Sequence, residues 1–113
     1  MARAIPKHLL IHTVQYQEYN GTAGGWGGSS GSYLPSVDYK YVRVEPSTQM
    51  ITDSTGNSVT ARGIMFIDTR HSDYNNKFPI EKSKIVHNGI EFIVAQVDYL
   101  YTRTLHHVEV YLK

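Results

Sequence analysis

The chain reads as an all-β protein, and three observations predict it. No window carries apolar residues at the i, i+3, i+4, i+7 spacing of an amphipathic helix without glycine, proline or β-branched clusters interrupting it. Nine tyrosines and many Val, Ile and Thr residues suit a pleated, half-buried surface, where branched and aromatic side chains pack well. Asn88-Gly89 stands between two apolar runs and favours the positive φ angles of a type I′ hairpin.

Taken in order, the first strand is expected over residues 8–16 and the second over 37–45, ended by Pro46, which has no N–H to give a ladder. A short piece over 49–52 is expected to pair separately. Asp53-Ser54-Thr55-Gly56-Asn57 is a turn sequence and leads into a third strand over 58–68. The polar run from Arg70 to Pro79 is an exposed loop. Residues 84–87 and 90–99 should pair across Asn88-Gly89. A last strand over 105–112 alternates, with His106, Val108, Val110 and Leu112 on the face expected to be buried and His107, Glu109 and Tyr111 on the other. Five to seven short strands with turns between them suggest a small barrel or sandwich, and the barrel is favoured because closure removes exposed edges.

At 113 residues the chain has the length of one hydrophobic core, so residues 1–113 are expected to form a single β-barrel domain. Apolar residues make up 41% and charged residues 19%, too apolar for a disordered chain and too interrupted for a membrane span. Eleven basic against ten acidic residues leave no strong positive field for sequence-independent nucleic-acid binding. With no cysteine there are no disulfides or thiolate metal sites, which fits synthesis in a reducing cytosol. The apolar run near the N-terminus is short, broken by His8 and His12, and reads as no signal peptide.

Residues 17–36 hold six of the nine glycines and the single tryptophan. Gly24, Gly25, Gly27 and Gly28 let the backbone lie close to a partner, and Trp26 offers a large anchor of low conformational entropy. Connections inside a compact domain are usually about 4 to 6 residues, so a loop this long reads as an interaction arm rather than a plain connector whose tryptophan covers a barrel end. Tyr33 at its far side belongs to the same expected contact. Arg70, His71, Asp73, Tyr74 and Lys77 mark the second contact loop.

Chemistry is poorly supported by the sequence. Successive strand residues face opposite sides, so His106 and His107 are not expected to share an ion, and His8 and His12 lack a cysteine or carboxylate partner for zinc. Asp68, Asp73, Glu81 and His71 lie in or beside a polar loop but carry no motif that fixes an acid–base geometry. The glycine run lacks the strand-to-helix context of a phosphate loop. Neither an enzyme nor a resident cofactor is expected. Tyr39, Tyr41, Tyr99 and Tyr101 would stack bases on an OB-like nucleic-acid-binding barrel, or equally pack across strands; the near-zero net charge favours packing.

Several pieces carry a resemblance in ordered series. They are Ile5-Pro6-Lys7-His8-Leu9-Leu10-Ile11-His12, Val42-Arg43-Val44, the hydrophobic strand ending in Asp68, Lys77-Phe78-Pro79, and His106-His107-Val108-Glu109-Val110. The chain resembles the small minor capsid proteins of tailed bacteriophages and, more broadly, their head-completion or stopper proteins. The resemblance implies a small barrel in the virion neck, made in the host bacterial cytoplasm and assembled as a homo-oligomeric ring. Such a ring sits below the portal and adaptor proteins and above a tail-completion protein, closes the channel on packaged DNA and presents a tail-docking surface. A tail-terminator ring is the alternative within phage structure. In that family the loop after the first strand more often has an acidic residue with one or two glycines, so Gly24-Gly25-Trp26-Gly27-Gly28 is a departure. Lys77, Lys82 and Lys84 are candidates for local contact with DNA or acidic partner surfaces.

Overall fold

The computed structural model describes residues 7–20, 32–52, 56–74, 77–101 and 103–113. A 3₁₀ turn, Lys7–Leu9, precedes eight strands: β1 His12–Gln17, β2 Tyr19–Asn20, β3 Ser32–Tyr33, β4 Val37–Thr52, β5 Ser58–Asp68, β6 Lys84–His87, β7 Ile90–Tyr101 and β8 Leu105–Leu112. Six of them close into a barrel in the order β1-β4-β5-β8-β7-β6, every pairing antiparallel, and β2 and β3 form a separate two-stranded sheet. The all-β barrel expected from the sequence is the observed fold.

Boundaries differ from expectation in β1, in β4 and in β7, which runs to Tyr101 rather than 99, and one face is less buried than expected. β1 starts at His12, where pairing with Val42 begins, because residues 7–9 turn instead of extending. Pro46 does not end β4, and 49–52 is no separate piece: β4 runs on to Thr52 through a register shift between Pro46 and Gln49. Beyond Val42 the strand has lost β1 as a neighbour, so the missing proline N–H falls at a bulge on a singly paired strand, where a sheet tolerates it. At the last strand, Val108, Val110 and Leu112 are buried as expected, but His106 is only half-buried. A register shift between Leu100 and Tyr101 breaks the alternation there.

The core is built from the inward residues of every barrel strand. Val14, Tyr16, Tyr39, Val42, Met65, Ile67, Ile85, Val94, Val108, Val110 and Leu112 are sealed from solvent and packed together. Gly63 has a steric reason to be glycine, since a Cβ there would stand 3.3 Å from the Glu45 carbonyl oxygen and 3.9 Å from Leu112. The His12 ring meets His87 edge-on at 4.6 Å, and its Nδ1 accepts the Val44 N–H at 3.0 Å, tying the start of β1 to β4. Burial, with the nearby His87 and Arg43, holds the His12 pKa below its ordinary value, which keeps that acceptor unprotonated.

A bulge in β4 sets the position of the loop after β5. His12 pairs with Val42 but Val14 pairs with Tyr39, so Lys40 and Tyr41 together oppose Thr13. Tyr41 takes the extra residue with a φ of 56°, a left-handed value that costs an L-residue roughly 1–2 kcal/mol. The Lys40 backbone, released from β1, exchanges both hydrogen bonds with Asp73 at 2.9 Å.

The Asn88-Gly89 turn has the expected geometry, with φ of 51° and 77°. Gly89→Ala should therefore destabilise the protein by about 1 kcal/mol, and chemical denaturation of the two proteins checks it.

Candidate docking end of the barrel

The antiparallel order sorts the connections between the two barrel ends. The β6–β7 turn, the β4–β5 hairpin and the N-terminal turn lie at one end. At the other lie the connection from β1 to β4, the loop from β5 to β6, and the β7–β8 tip. The described flanks of both loops singled out in the sequence thus belong to one end.

The second loop is fixed at its start by Asp68, a side chain with no solvent exposure. Its Oδ1 accepts the N–H of Arg70 at 2.8 Å and of His71 at 3.0 Å, and the Asp68 N–H donates to the Ser72 hydroxyl oxygen at 2.9 Å. The Ser72 hydroxyl in turn donates to the Tyr41 carbonyl, so the turn is fastened to the β4 bulge. Arg70 and Asp73 are exposed and His71 is half-buried. Tyr74 does not project as a free contact residue, because it stacks on Phe78 at 4.6 Å and packs against the core. Phe78 meets Tyr99 edge-on at 5.8 Å, joining the loop to β7.

Gly24, Gly25, Trp26, Gly27 and Gly28 lie outside the described residues. The strands that flank them are described: Tyr19 of β2 meets Tyr33 of β3 edge-on at 5.9 Å, and β2 pairs with β3. Lys84 lies over the Tyr33 ring at 4.4 Å and Lys82 over the Tyr19 ring at 5.6 Å. These lysines, candidates for DNA in the sequence, here brace the stem by cation–π attraction. Lys82 does so with a φ of 72°, a left-handed value in a non-glycine residue.

Lys77 joins the two loops through an ion pair with Glu18 at 2.9 Å. Beneath it, the Tyr16 hydroxyl accepts the Ile80 N–H at 3.0 Å and lies 3.2 Å from the Ser83 hydroxyl, which also accepts the Tyr19 N–H at 2.9 Å. Tyr16 stacks on Tyr39 at 5.0 Å, and the Tyr39 hydroxyl donates to the Lys77 carbonyl. A small cleft of about 110 Å³ opens here between Tyr16, Leu34, Pro35, Val37 and Tyr39, with Glu18 and Lys77 also in its lining. Burial raises both tyrosine pKa values above the usual phenol range, so both are neutral donors at ordinary pH.

Tyr39, fully buried, cannot join Tyr41, Tyr99 and Tyr101 in a base-stacking platform. The expected separation of His106 and His107 also fails: their Nδ1 atoms lie 2.7 Å apart, because the register shift at Tyr101 turns the start of β8. Among the described residues, no three His, Asp or Glu side chains gather as a metal-binding group. The sequence named Tyr99 and Tyr101 only for base stacking or cross-strand packing; they stand at the β7–β8 tip, 46% and 67% exposed, on the same end as the second loop. The repeated tyrosines in the run 99–101 were the available signal.

The minor capsid protein family model matches residues 6–112, which takes in the barrel and both loops. The chain belongs to the minor capsid protein family. That membership makes it a structural protein of the phage particle and agrees with the resemblance read from the sequence. No curated protein matches it. No described helix of this minor capsid protein is long and apolar enough to cross a membrane.

Two outcomes test the framework of this end. Asp68→Ala leaves the Arg70 and His71 amides without their acceptor and should cost about 1–3 kcal/mol, with faster hydrogen exchange at those two amides than elsewhere. Raised pKa values in Tyr16 and Tyr39 mean that folding favours the neutral phenols. Their contribution is complete below the unfolded value of about 10 and is lost as pH climbs past it towards the folded values. Denaturation followed between pH 8 and pH 11.5 should show that loss, and Tyr16→Phe should reduce it while lowering stability at neutral pH.

Proposed function

We propose that this minor capsid protein is a head-completion or stopper protein of the virion neck. It forms a homo-oligomeric ring that closes the portal channel after packaging and offers the tail its docking surface. The observation that carries this reading is the gathering of the β2–β3 stem, the described part of the second loop and the β7–β8 tip at one barrel end, with Glu18–Lys77 and Lys40–Asp73 fastening stem and loop. A barrel that uses its buried polar groups to hold loops in place is built to present a surface.

On this reading the portal or adaptor meets one face of the ring and the tail-completion protein the other, while the glycine-rich segment with Trp26 reaches a neighbouring ring or the channel with its DNA. Arg70, His71 and Asp73 supply polar contacts on the same face. The work is steric, with no catalytic step.

Electron microscopy of particles produced with this gene disabled, scoring heads, tails and retained DNA separately, tests the proposal. The expected result is normal-length tails unattached to emptied heads. Overlong tails would move the protein to the tail end of the junction, and intact infectious virions would overturn the neck assignment.

A further inference from the structure

Two strands outrun their neighbours. β4 and β5 continue past the barrel as a two-stranded ribbon: β1 leaves β4 at Val42, β8 leaves β5 at Gly63, and residues 49–52 pair only with 58–61 among the described residues. At the opposite end, β6 pairs with β7 only as far as Ile93, and the loop closes on Val94 through Lys82 and Ser83. From Gln96 to Tyr101, β7 pairs with β8 on one edge and with nothing described on the other.

Native sheets guard open edges with charges, prolines or cover, and a two-stranded ribbon is marginal in water without packing. Pro46 and the bulge after it guard only the root of this ribbon, and its outer residues have little such protection. Between Pro46 and Ala61 the sequence holds one charged residue, Asp53, while Met50 is 67% exposed. The second edge is equally bare, with Tyr99, Leu100 and Tyr101 all exposed beside a groove of about 330 Å³ lined by Pro79, Ile80, Glu81, Gln96 and Val97.

We infer that the β4–β5 ribbon of one copy adds to the open edge of β7 in the next copy, joining the chains by strand addition. The inference rests on the ring-forming reading above and names its contact. β4 supplies the edge, since β5 is already approached by its own chain where Arg62 donates to the Glu91 carbonyl at 3.1 Å. The chemistry matches: the groove is largely apolar with Glu81 in its lining and Asp98 bonded to its Gln96, and the described ribbon residues bring the apolar Met50 and Ile51 with Arg62 at the root. Because the two edges differ and lie at opposite barrel ends, the contact is head-to-tail, which generates a ring where the rotation closes.

The absence of cysteine lets thiols be placed singly in the full-length chain. Met50→Cys and Tyr101→Cys are prepared separately and together, then treated with a bis-maleimide whose reach of about 8 Å spans direct and diagonal cross-strand neighbours. A head-to-tail contact predicts a ladder of covalent oligomers from the double variant and a heterodimer from the mixed single variants, with roughly ten-fold less product from either single variant alone. Met50→Cys linking to itself as well as the mixture does would mean ribbon against ribbon across a two-fold axis, and overturns the inference. So does a mixture that gives no product while circular dichroism shows both variants folded. If native mass spectrometry then still finds oligomers, the ring survives and only this contact is lost. The gene-disabled particles judge the neck assignment separately.

Discussion

The barrel depends on its shortest seam. β1 and β6 meet over three residue pairs, and in the middle of that seam Tyr16 lies opposite Ile85 and sends its hydroxyl to the barrel end. A buried hydroxyl left without partners carries its full desolvation cost, so the Ile80 amide and the Ser83 hydroxyl are drawn to it. Ser83 passes the constraint to the backbone of Tyr19, where the glycine-rich connection leaves the barrel. Closure of the sheet, entry of the second loop and exit of the first are thus one polar network around a single phenol.

The network explains why so many groups that look reactive in isolation have structural roles. Asp68 is buried to hold a turn, Lys77 is bonded to Glu18, and Lys82 and Lys84 lie over tyrosine rings. His107 pairs with Glu109 at 3.1 Å, and Tyr111 donates to the same carboxylate at 3.3 Å on the outer barrel wall. A protein that assembles needs rigid, pre-ordered edges and loops, since each side chain ordered at docking subtracts from the affinity.

The strand bulges are what convert a plain barrel into an asymmetric one. The bulge at Tyr41 turns the Lys40 backbone towards Asp73 and so attaches a long loop to the barrel wall. The shift at Pro46 lets β4 continue as a ribbon beyond its neighbours, and the shift at Tyr101 twists the β7–β8 tip and presses two histidines together. Each adds a feature to one end or edge, and the ends come to differ although the core is regular.

Sequence alone determined the strand content, the Asn88-Gly89 turn and the buried face of 108–112, because alternation and turn chemistry act over a few residues and survive without knowledge of neighbours. It also carried the family, through short phrases kept in order along the chain. It did not reveal that Pro46 sits inside a strand, since that depends on β1 beginning only at His12, opposite Val42, and leaving the rest of β4 singly paired. Nor did it reveal that Lys77 meets Glu18 or that Ser83 meets Tyr16, residues more than fifty positions apart. Those contacts exist only once the sheet closes, because closure alone brings β1 beside β6 and gives the buried hydroxyl its partners.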